Sequence, residues 1–452
     1  MGSIVRREIL RPSCGCFATS AVSFTPMQKF MIVACALAFS LWGTVAFANT
    51  ETIGAHVAHF DAHGRLLPWT PWPDAIEREM RYYRKSPWDH GYPRFVTETF
   101  LLDEWKPDPQ RTDTIPATQN GMGILSYVKW AEWRHDSHAL DTARAMADYL
   151  IRQTLTPDAG EYPRFPHSTG RRDRFPQPPD SGSQSDRPFE VEPDKGGIVG
   201  YALLTLDDAT HRTDYTEAAL HIARVLASHQ RAGDATHSPW PFRVDHRTGA
   251  ARGEVSGNMT YILRLYDGLL DRGFAEFAAP RRGLWNWIRR NQVPSARTDG
   301  KLFAQFFEDH DSPVNRTAWA PLNLARYLLE RRSRLDPNWR EDAGTLIAFV
   351  RREFTHRESG VTVCHEQDED HDAWGGVNAT YGAVLAMYAK ATGSATLEAE
   401  ARDAISFTLY AIDDDGRPRD LPKHTMPGGW QEDAHTDVIH NVVDAMRALG
   451  PD

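Results

Sequence analysis

The sequence predicts an all-α chain folded as a ring of helical hairpins, and three observations carry that expectation. Apolar residues recur at helical spacing along most of the chain, while strand-like alternation is scarce. Short turns alternate with long connections rich in Pro, Gly and Trp. The hairpins also echo one another in sequence, as units that pack only on their neighbours do.

In chain order, the periodicity predicts helices over about Asp74–Lys85, Gly121–Arg134, Ala139–Thr154, Gly196–Thr210, Asp214–Gln230, Asn258–Asp271, Ala279–Asn291, Arg316–Arg332, Pro337–Phe354, Val377–Ala391, Thr396–Ile412 and Asp433–Leu449. Three of the pairs show the echo. Gly123 to Ile151 turns at Arg134-His135-Asp136 and carries Ala143-Arg144 in its second helix. Gly200 to His229 turns at Thr210 to Asp214 and carries Ala223-Arg224, and Gly382 to Tyr410 turns at Thr392-Gly393-Ser394 and carries Ala401-Arg402. The first helix of each pair is small and apolar on nearly every face, which suits an inner position. The second is amphipathic with charges on one side, which suits an outer one. Long connections then gather at one mouth, the longest being Arg164 to Pro193, an expected lid. Ala55 to Pro73 is expected to cross the ring as an N-terminal arm.

The N-terminal region reads as a leader. Lys29 precedes an apolar run from Phe30 to Gly43, and Ala46-Phe47-Ala48 places small residues where a signal peptidase reads. Residues 1–48 are therefore expected to be removed, with Met27 a tidier start, leaving one domain over 49–452 with its arm at 49–73 and a periplasmic or secreted location. No other apolar run is long enough to span a bilayer. Lys and Arg total 51 against 61 Asp and Glu, a net charge of −10. Loss of Arg6, Arg7, Arg11 and Lys29 against Glu8 makes the remainder more acidic, which excludes an electrostatic footprint for nucleic acid or an anionic membrane. Cys14, Cys16 and Cys35 lie in the leader, so Cys364 alone remains and is expected to be a buried thiol.

Three Asn-x-Thr triplets stand where helical patterns begin, each followed by an aromatic residue: Asn258 with Tyr261, Asn315 with Trp319, and Asn378 with Tyr381. Asn is a favoured helix N-cap, and capping is the plain reading of each. The loops before them hold proton-handling and sugar-stacking groups: Trp240, Arg243 and His246; Glu308 to Asp311; His365 to Trp374.

With hairpins, leader and aromatic loops in place, the chain from Asp74 to Leu449 resembles the (α/α) toroid carbohydrate-active enzymes, the group of exported polysaccharide lyases and six-hairpin glycosidases. The resemblance implies an (α/α)6-type toroid and a polysaccharide or oligosaccharide substrate, with no cofactor. Two narrower signatures are missing: the Asn-Asn-His-x-Tyr-Trp run of toroid alginate lyases and the paired Asp of unsaturated glucuronyl hydrolases.

A lyase must neutralise a uronate carboxylate, remove the C5 proton and return a proton to the leaving oxygen. The favoured assignment is cleavage of a uronic-acid-containing glycan by β-elimination, with His310 as base, Tyr261 or Tyr381 moving protons, and Asn315 and Arg316 holding the uronate. Arg316 is the expected two-pronged clamp. Asn258, Asn378, Arg243 and His246 are expected to bind substrate, and Trp240, Trp374 and Trp430 to stack on sugar rings from stiff loops. The alternative is a glucuronidase-like hydrolase drawing an acid pair from Glu254, Glu308, Asp311 and Glu366. A non-catalytic periplasmic glycan binder, or an epimerase acting on the same C5 proton, would use the same rim. The run His365 to Asp372 lacks Ca²⁺-loop and zinc-helix spacing, so no metal is expected.

Overall fold

A computed structural model describes residues 51–86, 88–89, 92–93, 100–101, 106–107, 113–171, 182, 186–305, 315–419 and 433–450. Among them are twelve helices of ten residues or more, each overlapping one predicted from sequence. In order they are α1 (Trp72–Tyr83), α2 (Pro116–Arg134), α3 (Ser137–Gln153), α4 (Pro193–Thr210), α5 (Thr213–Ser228), α6 (Thr260–Asp271), α7 (Ala278–Trp287), α8 (Trp319–Arg331), α9 (Trp339–Glu353), α10 (Gly375–Thr392), α11 (Ala395–Leu409) and α12 (Asp433–Leu449).

The even-numbered helices form the inner wall. Each packs on the next, and α12 returns onto α2, which closes a six-membered ring. Helices α3, α5, α7, α9 and α11 each pack outside the inner helix that precedes them. The sixth outer position belongs to α1, which lies against α11 and α12. The last hairpin therefore pairs α1 with α12, and the described residues from 51 on form an (α/α)6 toroid.

Small residues set the spacing of the inner wall. A Cβ added at Gly197 of α4 would lie 2.6 Å from a side-chain carbon of Ile262 on α6 and 2.8 Å from that residue's backbone nitrogen. One at Gly121 of α2 would lie 2.7 Å from Ile198 of α4. The turns are tight and locally specified. Asp136 caps α3 by accepting from the backbone N–H of His138 and Ala139. Helices α2 and α4 end in the left-handed region at His135 (φ 57°) and His211 (φ 56°), and α10 ends there at Gly393 (φ 74°).

None of the three Asn side chains caps its helix. Asn258 precedes α6, whose start has no side-chain cap. Asn315 lies four residues before α8. Asn378 is inside α10, where it donates to Ala404 O and Thr408 Oγ1 of α11, both at 3.0 Å, and accepts from the Cys364 N–H. The arm also differs from expectation, since it packs on one sector and does not cross the ring. Trp69 donates its indole N–H to Leu409 O at 2.8 Å, Tyr410 donates to Leu67 O at 2.9 Å, and the Leu66 N–H donates to Asp403 at 3.0 Å. Cys364 is buried, with burial pushing its thiol pKa up. No helix among the described residues is long and apolar enough to cross a membrane.

Candidate functional site at the mouth of the toroid

Each short turn reverses the chain, so all six inner helices run the same way. Their N-terminal ends share one face with the long connections, and this face is the mouth. A three-stranded antiparallel sheet of Glu190–Val191, Arg243–Asp245 and Ala251–Arg252 builds one wall of it. The strand pairing brings Glu192, Asp194 and Lys195, at the start of α4, against Arg243.

Behind that wall lies a buried polar cluster. His167, Ser168, Asp186, Glu192, Asp194, Lys195, Arg243 and His246 are each no more than 1% exposed. Arg243 pairs with Asp186 through Nε and with Glu192 at 3.1 Å through Nη2. Lys195 lies 3.1 Å from Asp194 and 3.4 Å from Glu192. Ser168 donates to Asp186 at 2.7 Å and accepts the Glu192 N–H at 3.1 Å. The His167 and His246 rings meet edge to face, with centroids 5.9 Å apart. Among the described residues this cluster holds three carboxyls against two cations. Burial pushes Glu192 well above the usual carboxylate range despite the opposing pull of Arg243 and then Lys195.

The next wall of the mouth is tied by Arg316. Its guanidinium holds Asp368 with two bonds of 2.9 Å, Glu353 at 3.1 Å and the Asp299 carbonyl at 2.9 Å. Asn315 donates to Gln367 and accepts the Glu369 N–H at 3.3 Å. Trp319 donates its indole N–H to Glu366 at 2.6 Å, and Trp374 to Asp370 at 2.8 Å. His365 stacks on His371 with ring centroids 4.7 Å apart. Burial, then the neighbouring His371 and His356, lowers His365 to a pKa of about 4, so it is a neutral base at neutral pH.

The predicted site residues thus divide. Arg243 and His246 meet in the buried cluster. Asn258, 1% exposed, stands at the mouth end of α6 with neither Oδ1 nor Nδ2 bonded within the protein. Arg316 and Asn315 are at the mouth, but the guanidinium is saturated by protein acceptors and serves there as a loop tie, contrary to the expected clamp. Tyr381 is turned to the outer layer, where its hydroxyl bonds Glu400, itself paired with Arg351 at 2.9 Å. Asn378 is spent on the α10–α11 joint, away from the expected binding role. Tyr261 lines a cavity toward the other end of the barrel. Trp240 corrects the expectation of an exposed stacking ring: it is fully buried and donates to Leu226 O at 3.0 Å. Glu254 is on the surface, paired with Arg231 at 2.7 Å. His310, Glu308, Asp311 and Trp430 lie outside the described residues. Sequence reading missed His167, Glu192, Asp194 and Lys195. Part of their signal was present, since Glu192, Asp194 and Lys195 set both signs of charge at the opening of an apolar inner helix. Among the described residues no group of three or more His, Cys, Asp or Glu side chains is placed to hold a metal ion.

Solved structures supply the comparison. The fold is similar to that of a cellobiose 2-epimerase from Spirochaeta thermophila, at 14% identity and TM-score 0.63, covering 83% of this chain and 96% of that one. The chain has the fold of the (α/α)6 toroid carbohydrate-active enzymes. A family 76 glycoside hydrolase from a bovine Bacteroides thetaiotaomicron strain aligns at 11% identity and TM-score 0.57, over 84% of this chain and 78% of that one. A polysaccharide lyase aligns at 12% identity and TM-score 0.52, over 82% of this chain and 53% of that one. No family model matches the sequence, and no curated protein matches it.

Proposed function

We propose that the protein is an exported carbohydrate-active enzyme that works at the mouth by proton abstraction, cleaving a uronic-acid-containing glycan by β-elimination. The observation that carries this reading is the composition of the mouth. Among the described residues there, Asp186, Asp368 and Glu353 are bound to cations and Glu366 and Asp370 to indoles, while histidines, a carboxyl whose pKa burial raises and an unsatisfied amide lie beside them. Hydrolysis needs two carboxyl groups free to serve as acid and as base or nucleophile. Elimination needs a neutral base for the C5 proton, donors for the uronate carboxylate and an acid for the leaving oxygen. His246, His167 and His365 are candidates for the base, Asn258 for carboxylate recognition, and Glu192 for the acid. The C5–H electrons form the new C4–C5 double bond as the C4–O bond breaks, and the leaving oxygen takes the returned proton.

Residues 1–48 would direct export, which suits an enzyme meeting a polymeric glycan outside the cytoplasm. The test is incubation of the purified protein with alginate, glucuronan, pectin and glycosaminoglycans while following the ultraviolet absorbance of unsaturated uronides. A rise supports the proposal. New reducing ends without that absorbance would move the assignment to hydrolysis.

One observation favours a second reading from the same site. The histidine pair supplies two proton-handling rings, the number that removal of a sugar proton and delivery of one to the opposite face would use. The similar cellobiose 2-epimerase fold makes epimerisation the competing outcome, and it would exchange solvent deuterium into the sugar without shortening the chain.

A further inference from the structure

A second cavity, of about 80 Å³, opens toward the C-terminal ends of the inner helices, away from the mouth. Lys129 of α2, Tyr201 of α4, Tyr261 and Arg264 of α6, Arg326 of α8 and His440 of α12 line it. Between the two ends, Met122, Ile198 and Tyr261 form an apolar cluster of their own. Arg326 donates to Asn441, which donates to Thr380 at 2.8 Å, so a polar tie also spans the barrel there. The lower cavity is thus separate from the mouth.

Its charges are sorted by depth. The Arg264 and Arg326 side chains are 10% and 6% exposed, whereas those of Glu330 and Glu132 are 34% and 56% exposed. Two carboxylates lie deep: Asp437, 7% exposed and acting on Tyr261 through its charge, and Asp444, held by Lys129 at 2.7 Å and lowered to about 2 by the Lys129 and Arg326 charges against its burial. Arg264 reaches out to Glu330 at 2.6 Å. Arg326 leans on Asp444 at 3.8 Å, and its buried Nε finds no acceptor in the protein. His440, tied to Ser126 at 2.9 Å, is pushed well below its usual value by burial and then by Arg326 and Lys129. It brings no charge, so three cations, Arg264, Arg326 and Lys129, face two deep carboxylates at the inner end while Glu330 and Glu132 sit at the rim. A buried guanidinium N–H without a partner is costly and calls for an oxygen acceptor. The space is several times the roughly 10–15 Å³ that one water needs.

We propose that this lower cavity is a binding site for a small oxyanion, a phosphate or a short carboxylate, held by Arg264, Arg326 and Lys129. A planar guanidinium pair suits an oxyanion's geometry, and the depth of the site removes the competition of bulk water. The acidic rim favours small ligands over polyanionic chains.

The test is calorimetric titration of the full-length protein with inorganic phosphate, and in a second arm acetate, at constant ionic strength. One saturable site per chain is expected in at least one arm, and the stronger arm names the source of the oxyanion. Arg264→Gln should weaken binding at least tenfold. Glu132→Gln at the rim should tighten it, a direction that misfolding cannot imitate. Asn258→Ala at the mouth should leave it unchanged. Absence of a saturable site in both arms would overturn the proposal. So would binding indifferent to both Arg264→Gln and Glu132→Gln, or binding lost in Asn258→Ala.

Discussion

Replacing Arg243 by Met should be among the most destabilising single changes available in the mouth, and its cost should grow with pH. The side chain is fully buried, pairs with Asp186 and Glu192, and stacks over the Phe242 ring at 4.0 Å. Removing one partner of a buried ion pair leaves uncompensated charge and costs about 3–5 kcal/mol. The comparison is Arg224→Met, which breaks an exposed pair with Glu276 and should cost far less. At a urea m-value of about 3 kcal/mol/M, the Arg243 change moves the unfolding midpoint by about 1 M or somewhat more. The pH dependence follows from linkage. Glu192 has a folded pKa raised above its unfolded value of about 4.5, so its contribution to stability is fully present below that value and is lost as pH rises through the folded pKa. Loss of Arg243 removes the largest force holding that pKa down. The parent and the variant therefore lose that contribution in parallel up to the parent's folded pKa, and the variant's deficit widens only as pH rises above it. A deficit below about 1 kcal/mol, or one that shrinks as pH rises, would refute the charge account of the cluster.

Asn258→Ala should fold as well as the parent or slightly better, because it removes a buried amide with no partner, yet lower kcat/KM about tenfold or more if that amide binds substrate; steady-state kinetics alongside urea unfolding checks both halves. Tyr381→Phe should keep its activity and lose about 1 kcal/mol from the lost bond to Glu400, whereas a collapse of turnover would return Tyr381 to the chemistry. His135→Gly should stabilise the fold by about 1 kcal/mol in thermal unfolding, since a non-glycine residue in the left-handed region costs about 1–2 kcal/mol. Gly197→Ala should cost about 1–3 kcal/mol by pushing α4 off Ile262 of α6.

Much of the ring was legible because inner and outer helices carry different burdens. An inner helix such as α10 is buried on nearly every face and must be built from small and apolar residues, while α3 can keep charges outward. The pairing of α1 with α12 was hidden, since the partners stand at opposite ends of the chain and only closure of the ring brings them together. Side-chain destinations were harder to read. Trp240 sits between prolines as an exposed ring would, but a backbone carbonyl of α5 satisfies its N–H and lets it be buried. Tyr261 and Tyr381 follow the triplets equally closely, yet α10 begins before Asn378 and α6 begins after Asn258. The offset turns the two tyrosines to different surroundings. Arg316 looked like a substrate clamp because sequence spacing cannot reveal that Asp368, fifty-two positions on, folds back to occupy its fork. Glu192 was passed over because an acidic residue ahead of a helix is ordinarily a dipole partner at the surface. Only the structure shows that this one is buried beside two cations.

The central claim is proton abstraction at the mouth. Its most direct test is mass spectrometry of a uronide oligosaccharide after incubation with the protein in water labelled with both deuterium and oxygen-18. Shortened products bearing an unsaturated uronide end are the predicted result. Saturated products that carry oxygen from labelled water at a new reducing end, with no unsaturation and no deuterium on carbon, would contradict it.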